Sequence, residues 1–370
     1  MAPDSGLEEK MQDAKSILLQ CVGEDGIWAD ATRDGYKNIY FTRDLAIAAE
    51  GLVAAGLEEH VQKHLNSLAI RQGEDGGIPV FFIGNYRAWA LQKLRRAFID
   101  GELLWMIMKK LNNYFPNFVP KSMGATHDTT DSELQYIDAV VKYARLTGDT
   151  EFLQAHHGNM KAAFQFSQSR VKDGLYRGVD WRDNVRFPPD VALLSNNALL
   201  VRAYKALNLS ARTLKERIND QFWNGEYHTD QPNVKDFDAF GQALAVLNDI
   251  PTAGQYTNIA RKFESLVTNV GIKANDLAMP NDMRGEERVS VERVNQYETV
   301  WPFVTGYVVL ALNKMGKNRE AKKLFTQWTR LEGFREWYNA ETGQGGGAQK
   351  QMWSAALYIA AGRSLGLILS

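Results

Sequence analysis

Cysteine is nearly absent: Cys21 is the single cysteine in 370 residues, so no internal disulfide framework can form. That favours a reducing compartment only weakly. Histidine is sparse, with His60, His64, His127, His156, His157 and His228 the full set. No HExxH pattern or Cys/His cluster occurs. His60 and His64 stand four apart and read as a solvated helix face, because no third ligand follows at a recognisable spacing. His156 and His157 sit in a polar stretch and read the same way. No metal and no other cofactor is therefore expected.

Charge of one sign is also lacking. Lys and Arg number 43 against 44 Asp and Glu, for a net charge of -1, so nothing points to a nucleic-acid or membrane partner. No apolar run approaches the ~18 residues a membrane span needs. The opening MAPDSGLEEKMQDAK has neither a basic start nor an apolar stretch, so it does not read as a signal peptide, and a cytoplasmic protein is expected. The Gly345–Gly347 run lacks a following Lys-Ser/Thr and a preceding strand, which argues against a phosphate loop. Asp-rich metal motifs of the terpene-cyclase kind are missing too. The oligomeric state is left open.

What is present is helical periodicity from end to end, in a chain that is 45% hydrophobic and 24% charged. Amphipathic stretches run LEEKMQDAKSILLQCV, RDLAIAAEGLVAAG, LEEHVQKHLNSLAIRQ and DGELLWMIMKKLNNYF. TDSELQYIDAVVKYARLTGD, TEFLQAHHGNMKAAFQFSQSRV, LSNNALLVRAYKALN and SARTLKERINDQFW continue the series. DFDAFGQALAVLND, NIARKFESLVTN, TVWPFVTGYVVLALNKMG, REAKKLFTQWTRLEG and KQMWSAALYIAAGRSLG complete it. No β-alternation of comparable length competes, and Ile78–Ile83 reads as loop or a brief strand.

The helices follow a rhythm. Leu146–Gln154 and Lys314–Phe325 each pass from an apolar helix through Gly and a polar residue into a more polar helix, which is the chemistry of a tight helix–helix turn. Between such hairpins lie long loops rich in Trp, Asp, Arg, Gly and Asn: Asp173–Pro189, Phe222–Asp236 and Arg335–Gln349. The count comes to about twelve or thirteen helices, close to a six-hairpin ring with apolar inner and amphipathic outer helices. An open α-solenoid is the alternative, but no repeat of constant length occurs. The expectation is one all-α (α/α)6-barrel domain over residues 1–370, with short turns on one rim and loaded loops on the other. Catalytic groups sit where loops are held by such a scaffold.

Glycoside hydrolysis needs two carboxyl groups flanking the scissile bond. Sugar sites also need aromatic faces and planar polar groups. The loaded loops have that make-up. Gly174–Asn184 gathers Tyr176, Arg177, Asp180, Trp181, Arg182 and Asp183, and Arg335–Gly347 holds Glu336, Trp337, Tyr338, Asn339 and Glu341. Asn38–Ala46 offers Tyr40, Arg43 and Asp44, while Asn295–Pro302 offers Tyr297, Glu298 and Trp301. Composition alone weighs each loop evenly between a site and a helix-capping salt-bridge surface.

The segment EWYNAETGQGGGAQKQMWSAALYI (Glu336–Ile359) resembles the C-terminal signature of the six-hairpin glycosidases. These include trehalases, processing α-glucosidases with their mannosylglycerate hydrolase relatives, and neutral invertases. Glu336, Tyr338, Asn339, Thr342, Gly343, Trp353 and Ser354 carry the match. Thr130–Asp149 is similar to the invertase-type Asp-Ser helix, and Trp301–Lys317 to the Trp-Pro helix that precedes the catalytic Glu. The resemblance implies Glu336 as the second catalytic carboxylate. In these families the general acid is an Asp after a Gly-x pair, which implies Asp180 in Gly178–Asp180. The chain departs from the pattern in Trp181-Arg182-Asp183-Asn184, so Asp183 competes with Asp180, and Glu341 competes less strongly with Glu336.

The expected reaction is hydrolysis of a small α-linked glucoside with inversion. Asp180 would be kept protonated by an apolar wall such as Trp181, and Glu336 would deprotonate the water. Arg43, Asp44 and Glu298 are candidates for reading hydroxyls. Trp28, Trp181, Trp301 and Trp337 are candidates for stacking, against core packing at even weight. Tyr40, Arg182, Asp183 and Tyr338 complete the candidate substrate site. Sucrose is the second substrate expectation. A sugar 2-epimerase on the same barrel ranks lower, since that chemistry uses histidines and only His127 and His228 lie in or near loaded loops. A non-catalytic sugar-binding protein is the third reading.

Overall fold

The computed structural model describes residues 5–32, 39–84, 129–182, 185, 187, 188, 190–277 and 299–368. The helix expected over residues 100–115 lies outside the described residues.

Six helices form a closed inner ring, in the order Thr42–Ala54 (α2), Ser132–Thr147 (α4), Leu194–Ala206 (α7), Ala239–Leu247 (α9), Pro302–Lys314 (α11) and Met352–Ser364 (α13), with α13 packing back on α2. Their sequences explain the position. Along α13 every residue from Met352 to Gly362 is buried, and along α9 every residue from Ala239 to Val246. A helix apolar on all sides has to be surrounded. Gly51 of α2 lies so close to α13 that a Cβ there would sit 1.9 Å from the Ala356 carbonyl oxygen, and this permits the ring to close.

The outer layer is Ser5–Gln20 (α1), Glu58–Ile70 (α3), His157–Gln168 (α6), Arg212–Phe222 (α8), Tyr256–Ser265 (α10) and Asn318–Thr329 (α12). These helices bury a single stripe: α8 buries only Leu214, Ile218 and Phe222, at i, i+4 and i+8. The result is an all-α (α/α)6 barrel.

The stretch Thr150–Arg170 contains two helices rather than one. Thr150–Ala155 (α5) ends at His156, and α6 starts immediately after it. The His156 ring is held by Tyr136 Oη at 2.7 Å and Asn66 Oδ1 at 2.9 Å, which turns the chain there. His64 also departs from expectation. It is fully buried, edge-on to Tyr40 and Phe82, and not on a solvated face.

Tight turns lead from the C-terminus of an inner helix to the next outer helix. In one, Gly148 takes φ 74° and Asp149 caps α5 by accepting from the Phe152 N–H at 2.8 Å. At the opposite rim, outer helices return to inner ones through long loops. Three of these begin with two-residue antiparallel ladders: Val22–Gly23 (β1) with Gly26–Ile27 (β2), Val171–Lys172 (β5) with Leu175–Tyr176 (β6), and Val267–Thr268 (β7) with Gly271–Ile272 (β8). Larger pairings join Ile39–Phe41 (β3) to Phe81–Ile83 (β4), and Thr299–Val300 (β9) to Trp337–Asn339 (β10) to Gly345–Gly346 (β11).

All six inner helices therefore present their N-termini to the loop-bearing rim, which we call the mouth. The first-turn N–H groups and the positive dipole ends of six helices converge there, and carboxylates are favoured in such a field. Farther along the inner helices the centre holds a buried ionic cluster. Lys142 reaches Asp138 at 2.8 Å and the Ala46 carbonyl at 2.7 Å, and Arg202 reaches Asp138 at 2.6 Å.

Candidate active site

The mouth is lined with buried polar side chains drawn from the first turns of the inner helices and the loops entering them. Asp180 and Arg182 lie in the loop before α7. The Arg182 Nε and Nη2 donate to the two oxygens of Asp180 at 3.0 and 2.8 Å. The Arg182 backbone N–H and the Ser195 hydroxyl also donate to Asp180, at 3.0 and 2.6 Å. The other edge of the guanidinium binds both oxygens of Asp230, at 2.8 and 2.9 Å. All three side chains are at most 1% exposed.

This arrangement corrects the expected protonation of Asp180. Burial pushes its carboxyl up, but the Arg182 charge and the hydrogen bonds from Arg182 and Ser195 outweigh it. The net effect holds Asp180 below the usual carboxylate range. Around it burial wins: Asp230 and Asp131 are raised, and Asp238 is pushed up to about 7. Glu133, which accepts the Ile78 N–H at 3.1 Å, is likewise pushed up to about 7 by burial.

Arg43, near the start of α2, brackets the same loop. It donates to the Trp181 carbonyl and the Thr129 hydroxyl, both at 3.1 Å, and lies 3.6 Å from Asp131. Asp44 is buried one residue further along α2. Arg43, Asp44, Asp180, Trp181 and Arg182 are thus gathered on one side of the mouth.

Glu336 enters from the loop before α13. It is half-buried. Its Oε2 accepts the Ala348 N–H at 2.8 Å, and its own N–H donates to the Ala348 carbonyl at 2.9 Å. Gly347 has φ 65°, and a Cβ on it would stand 2.3 Å from Glu336 Oε2, so only glycine leaves the carboxylate where it is. Glu341, its competitor, is exposed in the Asn339–Gly343 turn.

An aromatic cluster links the Asp180 loop to the strand that pairs with the Glu336 loop. Trp181 packs edge-on to Trp301 and Phe303, each with ring centres 5.0 Å apart. Trp301 directly follows β9, which pairs with the strand that follows Glu336. Trp353 completes the cluster, 4.6 Å from Phe303 and 6.2 Å from Trp301.

Other expected positions fall elsewhere. Tyr40 is buried, stacked on Phe82 with its hydroxyl accepting the Asp25 N–H at 3.3 Å, and serves the core. Tyr338 is buried with Val270 and Val300 in a satellite core, its hydroxyl donating to the Glu332 carbonyl at 3.0 Å. Trp181 and Trp301 are 2% and 4% exposed, enclosed by other rings rather than presenting open faces, whereas Trp337 is half-buried. Trp28 is buried in the main core. Asp183 and Glu298 lie outside the described residues.

Sequence reasoning did not single out Asp131, Ser195, Asp230, Asp238 or Trp353 as site residues. Asp238 had a legible signal, an Asp directly before an apolar helix, and it does cap α9 through the Phe240 and Gly241 N–H groups. Asp131 and Trp353 stand inside the matched segments, and Asp230 inside a loaded loop. Their convergence depends on ring closure.

Among the described residues, no group of three or more His, Cys, Asp and Glu could hold a metal ion. No helix among them is long and apolar enough to cross a membrane. His228 bonds Asn219 at 3.0 Å, His156 is held between Tyr136 and Asn66, and His64 packs against Tyr40 and Phe82.

No protein-family model and no curated protein matches the sequence. Solved structures do share the fold. A GH63 mannosylglycerate hydrolase from Thermus thermophilus in complex with glucose aligns over 95% of this chain and 99% of its own, with a TM-score of 0.67 at 16% identity. A glutamate-to-alanine glycosidase variant in complex with glucose aligns over 99% and 100%, with a TM-score of 0.66 at 13% identity. The same Thermus enzyme has been solved with Tris and D-glycerate, and that structure aligns with a TM-score of 0.64.

Proposed function

We propose that the chain is a glycoside hydrolase with one catalytic domain over residues 1–370, cleaving a small α-linked glucoside at the mouth of the barrel without a cofactor. In this reading it works in the cytoplasm and has no nucleic-acid or membrane partner. The observation that carries it is the Trp181–Trp301–Trp353 cluster, which joins the Asp180 loop to α13 and to the strand paired with the Glu336 loop, at the rim where six inner helices begin. The fold is one on which glycosidases that bind glucose are built.

Glu336 is the proposed base. Its carboxylate is half-buried and oriented by the Ala348 N–H. The acid must carry a proton at working pH and meet the glycosidic oxygen. Asp180 is held below the usual carboxylate range and enclosed by Arg182 and Ser195, which suits it to fixing the loop. The acid role therefore passes to Asp183, next after the Arg182 anchor in sequence. Hydrolysis proceeds in one displacement. The acid protonates the leaving oxygen while Glu336 takes a proton from a water attacking the opposite face, which inverts the anomeric centre. The two carboxyl groups then stand roughly 6.5–9.5 Å apart.

The test is a panel of α-glucosides, sucrose and mannosylglycerate, followed by release of free sugar. Wild-type protein releases sugar from at least one. Replacement of Asp183 by Asn then lowers turnover by orders of magnitude, and more than Asp180→Asn does. Stronger loss in a fully folded Asp180→Asn protein returns the acid role to Asp180. No release from any member removes the hydrolase reading.

A further inference from the structure

Three indoles share the aromatic cluster at the mouth, and their N–H groups are not equivalent. Trp301 Nε1 donates to Thr299 Oγ1 at 2.9 Å. The Nε1 atoms of Trp181 and Trp353 are buried with no hydrogen-bond partner among the described residues. Their residues are 2% and 5% exposed. A buried donor without a partner costs free energy, and native proteins keep few of them. Two within one cluster, beside a third that is satisfied, need a reason.

A third orphan lies close by in sequence. Gln351, 1% exposed, caps the helix in which Trp353 is the second residue, and its Oε1 also has no partner among the described residues. Around the aromatic cluster and the first turn of α13, two indole donors and one amide acceptor are thus left unmet. A hydroxyl both donates and accepts, so a polyhydroxylated ring with apolar C–H faces satisfies all three. A simple anion would leave Gln351 Oε1 unmet, and an apolar ligand would leave all three unmet.

We infer that Trp181 and Trp353 read substrate hydroxyls through their indole N–H groups, as specificity-determining donors rather than stacking platforms, and that what they read is a polyhydroxylated pyranose ring. Trp353 is new to the site, and Trp181 changes its mode of contact. The inference rests on the reading that the mouth takes a sugar, but it does not need the bond to be cleaved.

Indole 15N–1H spectra of the whole protein test it, with glucose as the probe and Trp181→Phe, Trp353→Phe and Trp301→Phe identifying the signals. Adding glucose should move the Trp181 and Trp353 resonances downfield and leave Trp301 nearly in place. Each responding indole should stop responding to one particular monodeoxyglucose, which binds about fivefold to tenfold more weakly than glucose. If a Phe variant does not fold, the same tryptophan replaced by benzothienylalanine keeps the ring shape and removes only the donor. The idea is overturned if wild-type protein binds no glucose, if Trp301 moves instead, or if every deoxyglucose shifts both indoles as glucose does. Sugar release fails or succeeds separately. Indole shifts without any hydrolysis would sink the catalytic reading alone, and hydrolysis without indole shifts would sink this one alone.

Discussion

Arg182 grips both oxygens of Asp180, at 3.0 and 2.8 Å, with neither side chain more than 1% exposed. The same guanidinium holds Asp230, so a single cation ties together the loops entering two neighbouring inner helices. Removing one partner of a buried ion pair leaves the others uncompensated, at a cost of about 3–5 kcal/mol. Arg182→Ala should therefore destabilise the fold by that order in urea unfolding, while Ser195→Ala, which removes one hydrogen bond to Asp180, should cost only about 1 kcal/mol. Equal midpoints for the two variants would contradict the role given to Arg182.

Acid stability draws on two groups whose folded pKa values are both lowered, so both contributions are lost as pH falls, over different windows. Asp180 has a folded pKa below its unfolded value, so its contribution is complete above the ordinary carboxylate pKa and fades only as pH falls through the lower folded value. His64 is neutral and fully buried, with its pKa lowered by burial to about 3. Its contribution is complete above the unfolded value of about 6.5 and declines by roughly 1.4 kcal/mol per pH unit below it. Between pH 6.5 and 5 the fold should thus lose about 2 kcal/mol through His64. Unfolding free energies of wild type and His64→Phe, measured across that window, check this. The variant should show the shallower slope, and parallel slopes would refute the assignment.

Gly347 is a sensitive position for activity. Its left-handed backbone and the 2.3 Å approach of a Cβ to Glu336 Oε2 mean that Gly347→Ala must shift the carboxylate. A displacement of about 1 Å can cost on the order of 100-fold in rate. Turnover should fall by that order while thermal stability drops by about 1–2 kcal/mol. Unchanged turnover would show that Glu336 does not need its present position.

Much of the fold was legible in the sequence because the inner and outer helices differ in composition. The continuous apolar run of Met352–Gly362 and the three-residue stripe of α8 announce their layers directly. The Gly148–Asp149 turn announces the hairpins. The two-residue ladders at the mouth were not legible, since two residues carry no periodicity. The break at His156 was hidden as well, because it depends on Tyr136 and Asn66 from other helices.

The site was legible as composition but not as partnership. The loop Gly174–Asn184 was recognised as rich in acids, but that Arg182 turns onto Asp180 rather than toward an open pocket follows from Asp230, 48 residues away. The same holds for Tyr40 and Tyr338. Their residue types suit a sugar site, yet Phe82 and Val300 claim them for the core.

The most direct test of the two-carboxylate account is time-resolved proton NMR of the anomer released from the cleaved α-glucoside, comparing wild type with Glu336→Gln. The account predicts that wild type releases the β-anomer first and that Glu336→Gln, folded and still binding glucose, turns over at least about 1,000-fold more slowly. Release of the α-anomer, or near-wild-type turnover in Glu336→Gln, would contradict it.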